Sequence, residues 1–122
     1  MGAAEHDSRV RDFSLRVWNE RYYAAAGRLY ADTFSNPAAP GVSGAAAKTM
    51  VIRPYHQAFP DLAVTIEDLV AADRVVAVRY AAAGTDLGGF RGKPPDRWPH
   101  ERSCRSAYEY ARGRPVTMSS QT

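Results

Sequence analysis

The chain has 122 residues, 45% of them hydrophobic, with a formal net charge of +3 and a single cysteine, Cys104. That length supports one domain around one core, and one thiol excludes an intrachain disulfide and a four-thiolate zinc site. No apolar run approaches the roughly 20 residues that cross a bilayer, and the early Glu5, His6 and Asp7 are in the wrong order for a signal peptide, so a cytoplasmic location is expected and a membrane partner is not.

Residues 1–7 read as a mobile terminus, and His6 within it has no metal-ligand spacing. From about Ser8 to Ala26 the chain has the period of an amphipathic helix capped by Asp7 or Ser8. Val10, Phe13, Val17 and Arg21 share one face, with Trp18 and Tyr22 beside it. Gly27 weakens a helix by about 1 kcal/mol relative to Ala and marks a break before a short second helix through Leu29-Tyr30. Thr33 to Asn36 is extended, Pro37 confining Asn36, and 36–44 is a loop of turn residues. Ser43 suits the N-cap of a third helix with a stripe of Ala47, Val51, Tyr55 and Phe59, and Pro54 predicts a kink or break near Arg53.

The stretch from Phe59 to Asp86 is the most regular. Leu62, Val64, Ile66 and Leu69-Val70 alternate with polar neighbours as in a half-buried strand, and Val75 to Ala83 repeats the pattern after Ala72-Asp73-Arg74. This antiparallel hairpin, following helices, gives an α+β class with a one-sided sheet. The uncovered face would carry Val75, Ala77 and Ala81, with Arg79 at its rim, which predicts a homodimer.

Asp96 to Arg105 places charges on both faces and includes Pro99, which is barred from a central ladder position. Pro115 interrupts the final apolar stretch. A shorter sheet, or a degenerate or frame-shifted segment, is therefore expected at 96–105 and 115–122. On a strand His100 and Cys104 would lie about 13 Å apart, too far for proton transfer, and His56 sits alone on its helix. The basic excess also falls here: nine Lys and Arg against ten Asp and Glu through Phe90, then seven against three. These charges are scattered over a loop and a strand, so no nucleic-acid partner is expected.

Several short pieces recur in a telling order: Trp18-Asn19-Glu20, Leu29-Tyr30-Ala31, Phe34 and Asn36, Phe59-Pro60-Asp61-Leu62, and Glu67-Asp68. They continue with Asp73 to Tyr80, Gly84-Thr85, Phe90-Arg91-Gly92-Lys93-Pro94-Pro95, and Tyr108 to Arg114. Together they resemble SnoaL-like proteins, the polyketide cyclase or ester cyclase branch of the nuclear transport factor 2-like superfamily.

The resemblance implies a cone-like, cystatin-like α+β barrel. N-terminal helices would pack in a strongly curved antiparallel sheet, with a pocket at the open end for a small hydrophobic, polyketide-like carbonyl molecule. It also implies an acidic general base and neither metal nor cofactor. Such chemistry is physically sensible, since a dry pocket raises a carboxylate's pKa toward the working pH. Where the cyclases carry a strand-borne Asp this chain has Ser106, and their Gly-Thr-His is Gly84-Thr85-Asp86. Asp86 is thus the expected base, its competing role being a turn carboxylate before Gly88-Gly89. Asn36 matches a position near the pocket, against a role satisfying turn backbone. Trp18, Tyr55, Tyr80 and Tyr108 are the expected substrate-binding wall. The other reading, which Ser106 allows, is a non-catalytic member that binds a hydrophobic ligand or dimerises.

Overall fold

The computed structural model describes residues 2–90 and 92–121, so Arg91 of the Phe90–Pro95 loop lies outside the described residues. Helix α1 (Ala3–Phe13) begins ahead of the expected Ser8, with Gly2 as its N-cap. His6 explains the extension. Its buried ring stacks on Tyr110 at 4.2 Å and its Nε2 donates to the Asp73 carbonyl at 3.1 Å, so residues 3–7 are helical and docked rather than loose.

Val10, Phe13 and Val17 are buried as their spacing predicts, but the helix widens to a π-helical segment over Ser14–Asn19. The chain turns at Arg21, in the left-handed region with φ of 59°. Asn19 fixes that exit: its amide donates to the Val64 carbonyl at 2.9 Å and accepts from the Val64 N–H at 2.7 Å. The break is therefore here. Gly27 lies inside the short α2 (Ala26–Leu29), which follows a 3₁₀ turn.

Helix α3 (Ala46–Ala58) has Ala45 at its N-cap, without the expected side-chain cap from Ser43. It continues through Pro54 instead of breaking at Arg53. The proline is exposed, and the carbonyl it leaves unpaired belongs to exposed Met50, so water can satisfy it. The buried face is Ala47, Lys48, Ile52, His56 and Ala58, rotated from the Val51 stripe.

Four strands, β1 (Ala63–Ala71), β2 (Val75–Thr85), β3 (Pro99–Ala111) and β4 (Arg114–Gln121), form an antiparallel meander in chain order. A bulge between Ile66 and Asp68 changes which face β1 presents. Val64 and Ile66 point to the helices before it and Leu69 after it, which accounts for the adjacent apolar pair Leu69-Val70.

The expected shortening of the sheet does not occur. Strand β3 pairs with β2 from Pro99 opposite Thr85 to Glu109 opposite Val75. Pro99 is the first residue of its strand, where a missing N–H breaks no central ladder bond. Buried Pro115 pairs with Tyr110 beside a second bulge, so β4 forms across it.

Successive rows on the inner face are Ala71, Val76, Tyr108 and Met118; Leu69, Val78, Ser106 and Ser120; and Ile66, Tyr80 and Cys104. The first two rows close over Phe13, Tyr30, Phe34 and Ile52 in the core. The outer face carries Val70, Ala77, Ala107 and Ser119 around a depression of about 340 Å³. Among the described residues no helix is long and apolar enough to cross a membrane.

Candidate active site

The inner face is sealed at Val76, Tyr108 and Tyr110 but partly exposed at Tyr80 and Cys104 on the strands and at Trp18 and Tyr55 on the helices. The Tyr80 end is thus the less covered end of the inner face. An aromatic wall runs outward from it: Trp18 meets Tyr55 edge-on at 5.9 Å, Tyr55 meets Phe90 at 4.7 Å, and Phe90 meets Phe59 at 6.1 Å.

Behind this wall lies Lys48, only 4% exposed. Its Nζ is 3.6 Å from the Met118 sulfur, 5.8 Å from the Tyr108 ring centroid and 6.0 Å from that of Trp18. Burial pushes its ammonium down to about 8, opposed only by the electrostatic effect of Cys104. The Cys104 thiol is itself pushed up by burial, against the pull of Arg102 and Lys48. Lys48 was not among the residues expected from sequence. A signal existed: it is one of two lysines in a chain with fourteen arginines, and it stands four residues before Ile52 on a buried helical stripe.

Ser106, 3% exposed, lies in a line of hydroxyls, its Oγ 3.3 Å from the Tyr80 hydroxyl and 3.1 Å from the Ser120 hydroxyl. Neither neighbour is a base that could activate it. Burial raises the Tyr80 phenol, with the Ser106 hydrogen bond acting the other way. Tyr108 accepts a hydrogen bond from the Tyr30 hydroxyl at 3.2 Å, and burial holds both phenols well above their ordinary value.

Asp86 is buried at the start of the loop between β2 and β3. Its Oδ1 accepts from the Gly89 N–H at 3.0 Å and its Oδ2 from the Asp96 N–H at 3.4 Å. The next two N–H groups, of Leu87 and Gly88, donate to the Ala58 carbonyl at the end of α3. Asp96 in turn accepts from the Trp98 N–H at 2.9 Å and from His100 Nε2 at 2.9 Å, and these bonds, the first the stronger, hold its carboxyl below the usual range. His100 sits on the inner-face row opposite Gly84, its ring edge-on to Phe59 at 5.9 Å. Asp86, Asp96 and His100 bring three potential metal-ligand atoms within 4.8 Å of one another. The backbone N–H bonds to both carboxylates make the cluster an anchor for its own loop.

Of the expected wall residues, Trp18 meets Tyr55 and Tyr80 meets Ser106 at the less covered end, whereas Tyr108 is sealed in the core against Tyr30. Asn36 does not join them. Its amide donates to the Ala47 carbonyl at 3.2 Å and accepts from the Ala38 N–H at 3.0 Å, the turn-satisfying role. His56 is structural as well, donating from Nε2 to the Trp18 carbonyl at 2.8 Å and accepting from the Tyr23 hydroxyl, with its pKa lowered by burial.

A sequence model of SnoaL-like polyketide cyclases matches residues 8–117. The chain belongs to this family. Comparison with curated protein sequences finds no match. Among solved structures, this SnoaL-like chain is similar to TsrD from Streptomyces laurentii, with 16% identity and a TM-score of 0.86 over 96% of this chain and 87% of that one. It is also similar to a SnoaL-like polyketide cyclase from Agrobacterium tumefaciens, at 16% identity and a TM-score of 0.80 over 95% and 89% of the two chains. A third, AclR from Streptomyces galilaeus, is described as a candidate hydroxylase and aligns at 18% identity and a TM-score of 0.80 over 98% and 75%. These likenesses establish the α+β fold with its curved antiparallel sheet. Likeness at these identities shows the fold alone, and fold does not fix chemistry, which rests on the side chains held here.

Proposed function

We propose that this SnoaL-like chain cyclises or isomerises a hydrophobic, polyketide-like carbonyl compound by acid–base chemistry, without a cofactor. The observation that carries this reading is the convergence of Lys48, Tyr80 and Cys104 behind aromatic walls, with no carboxylate against Lys48 among the described residues. A buried amine without a counter-charge is unfavourable to keep, which supports a role for it in the reaction over a purely apolar binding interior. Ser106 remains the observation in favour of a non-catalytic binding role.

Two groups at the mouth compete to be the proton acceptor. Asp86 is the acidic residue read from the sequence, but both its oxygens already accept from loop N–H groups. His100 faces inward and is oriented by Asp96, which takes its Nε2–H and leaves the lone pair on Nδ1. We assign His100 as the base, with Asp86 holding the loop that positions it.

The test is exchange of the acidic C–H of a linear polyketide-like 1,3-dicarbonyl with deuterated solvent, followed by NMR. His100→Gln should lower the rate by about 100-fold, as expected for a lost general base, with the thermal midpoint kept. Asp86→Asn retains an amide oxygen for the Gly89 N–H and should change the rate far less. The reverse ranking would return the role to Asp86. A wild-type rate equal to that of buffer across a panel of such dicarbonyls would reject the enzyme reading.

A further inference from the structure

Lys48 supports a second kind of chemistry at the same site. We propose that its side chain is an amine nucleophile that condenses with a ketone of the substrate, so that the preferred substrate class is a chain bearing a 1,3-dicarbonyl. The inference rests on the reading of the interior as a carbonyl site.

Three geometric facts carry it. Lys48 is buried on the inner stripe of α3, where no ion pair holds it among the described residues, and its Nζ lies 3.6 Å from the Met118 thioether. The groups that face it from the packed elements are Trp18 after α1, Cys104 and Tyr108 on β3, and Met118 on β4, none of them a carboxylate. Cys104, Tyr80 and Trp18, on the elements packed around it, are partly exposed, so this is the end from which a carbonyl chain would approach. Desolvation keeps more of the amine neutral, the form that adds to carbonyls.

The steps balance without an oxidant or reductant. Nζ adds to a carbonyl carbon, forming the C–N bond of a carbinolamine. The carbinolamine oxygen leaves as water, taking the two protons that the amine brought, and a C=N bond remains. A proton then moves from the carbon between the two carbonyls to the nitrogen, giving a conjugated enaminone. In a longer chain the enamine carbon can attack a second ketone: a C–C bond closes the ring as that ketone's C=O π bond opens, its oxygen takes the proton from the nitrogen to become a hydroxyl, and water hydrolyses the C=N bond left on nitrogen, restoring the carbonyl and releasing Lys48.

Pentane-2,4-dione tests this directly, because its enaminone with lysine is stable and absorbs in the near ultraviolet. The folded wild-type protein at neutral pH should form an adduct heavier by one diketone less one water, mapping to Lys48. With the amine near 8 rather than 10.5, its neutral fraction at pH 7 exceeds that of an ordinary lysine on the order of 100-fold. The band should therefore form far faster than in the unfolded chain, rise with pH through about 8, persist in Lys93→Arg and vanish in Lys48→Met. Peptide mapping of the wild type needs no variant, so the result does not depend on Lys48→Met folding. Labelling confined to Lys93 or the terminal amine, or a band that survives Lys48→Met, would overturn the proposal. Deuterium exchange that persists at full rate in Lys48→Met would overturn it while leaving the acid–base reading intact. An adduct at Lys48 without exchange or ring closure would sustain the amine site and reject the cyclase reading.

Discussion

Lys48 also shapes stability. Its pKa in the folded chain, about 8, lies below the ordinary 10.5, so the unfolded chain binds the proton more tightly. The stabilisation is fully present above about 10.5, is lost as pH falls through about 8, and changes little below that; linkage puts the span at about 3 kcal/mol. Lys48→Met keeps the length of the side chain and removes the charge. It should raise stability at neutral pH by about 1–3 kcal/mol and flatten the alkaline rise, read from urea midpoints at neutral and alkaline pH. An unchanged neutral midpoint would count against a buried, uncompensated charge. At this scale Val10, Phe13 and Val17 were legible in the sequence, because apolar periodicity reports burial directly. Lys48 was not, because its type predicts a solvated surface and only the packing of α3 against β3 and β4 encloses it.

At the scale of elements, the loop that carries Asp86, Asp96 and His100 depends on its seat against the end of α3. Gly88 makes that seat possible: a Cβ there would lie 2.0 Å from the Gln57 carbonyl oxygen and 2.9 Å from its carbon, both backbone atoms that cannot swing away. Gly88→Ala should therefore displace the loop from the Ala58 carbonyl, lowering stability by about 2 kcal/mol or more and reducing exchange activity along with it. Gly92→Ala is not an equally clean control, because that residue has a φ of 78°. Gly27→Ala is, since its added methyl meets nothing within 4 Å. Equal thermal midpoints for Gly88→Ala and wild type would show that the loop does not need this contact. The sequence marked the ends of the hairpin correctly, since Ala72-Asp73-Arg74 separates two alternating runs. It misplaced the helix break at Gly27 and denied β3 and β4 their length, because local propensity could not register the Asn19 bond to β1, the His6 anchor, or a proline placed at a strand's first position.

For the whole molecule, the outer face of the sheet remains the expected contact between two copies. Val70 and Val75 are 65% and 42% exposed there, and Ala77 and Ala107 add apolar surface between Asp68, Arg79 and Arg105. We expect a homodimer, seen as twice the chain mass by sedimentation at micromolar concentration. Ala77→Asp should return it to a single-chain mass by burying a charge at the centre of that face. A wild-type chain that sediments as one copy would reject the contact.

The sequence alone determined the α+β class, the central hairpin, the family and the Trp18 and Tyr55 part of the aromatic wall. Each of these follows from patterns of side-chain type along the chain, which periodicity and order preserve. Only the tertiary structure decided which polar groups face the interior. It set Lys48 against Trp18, Tyr108 and Met118, oriented His100 through Asp96, and engaged Asn36 and Asp86 with backbone N–H and carbonyl groups. Those outcomes depend on strand register, two bulges and the rotation of α3, which bring together residues far apart in the chain, and no local pattern encodes such meetings.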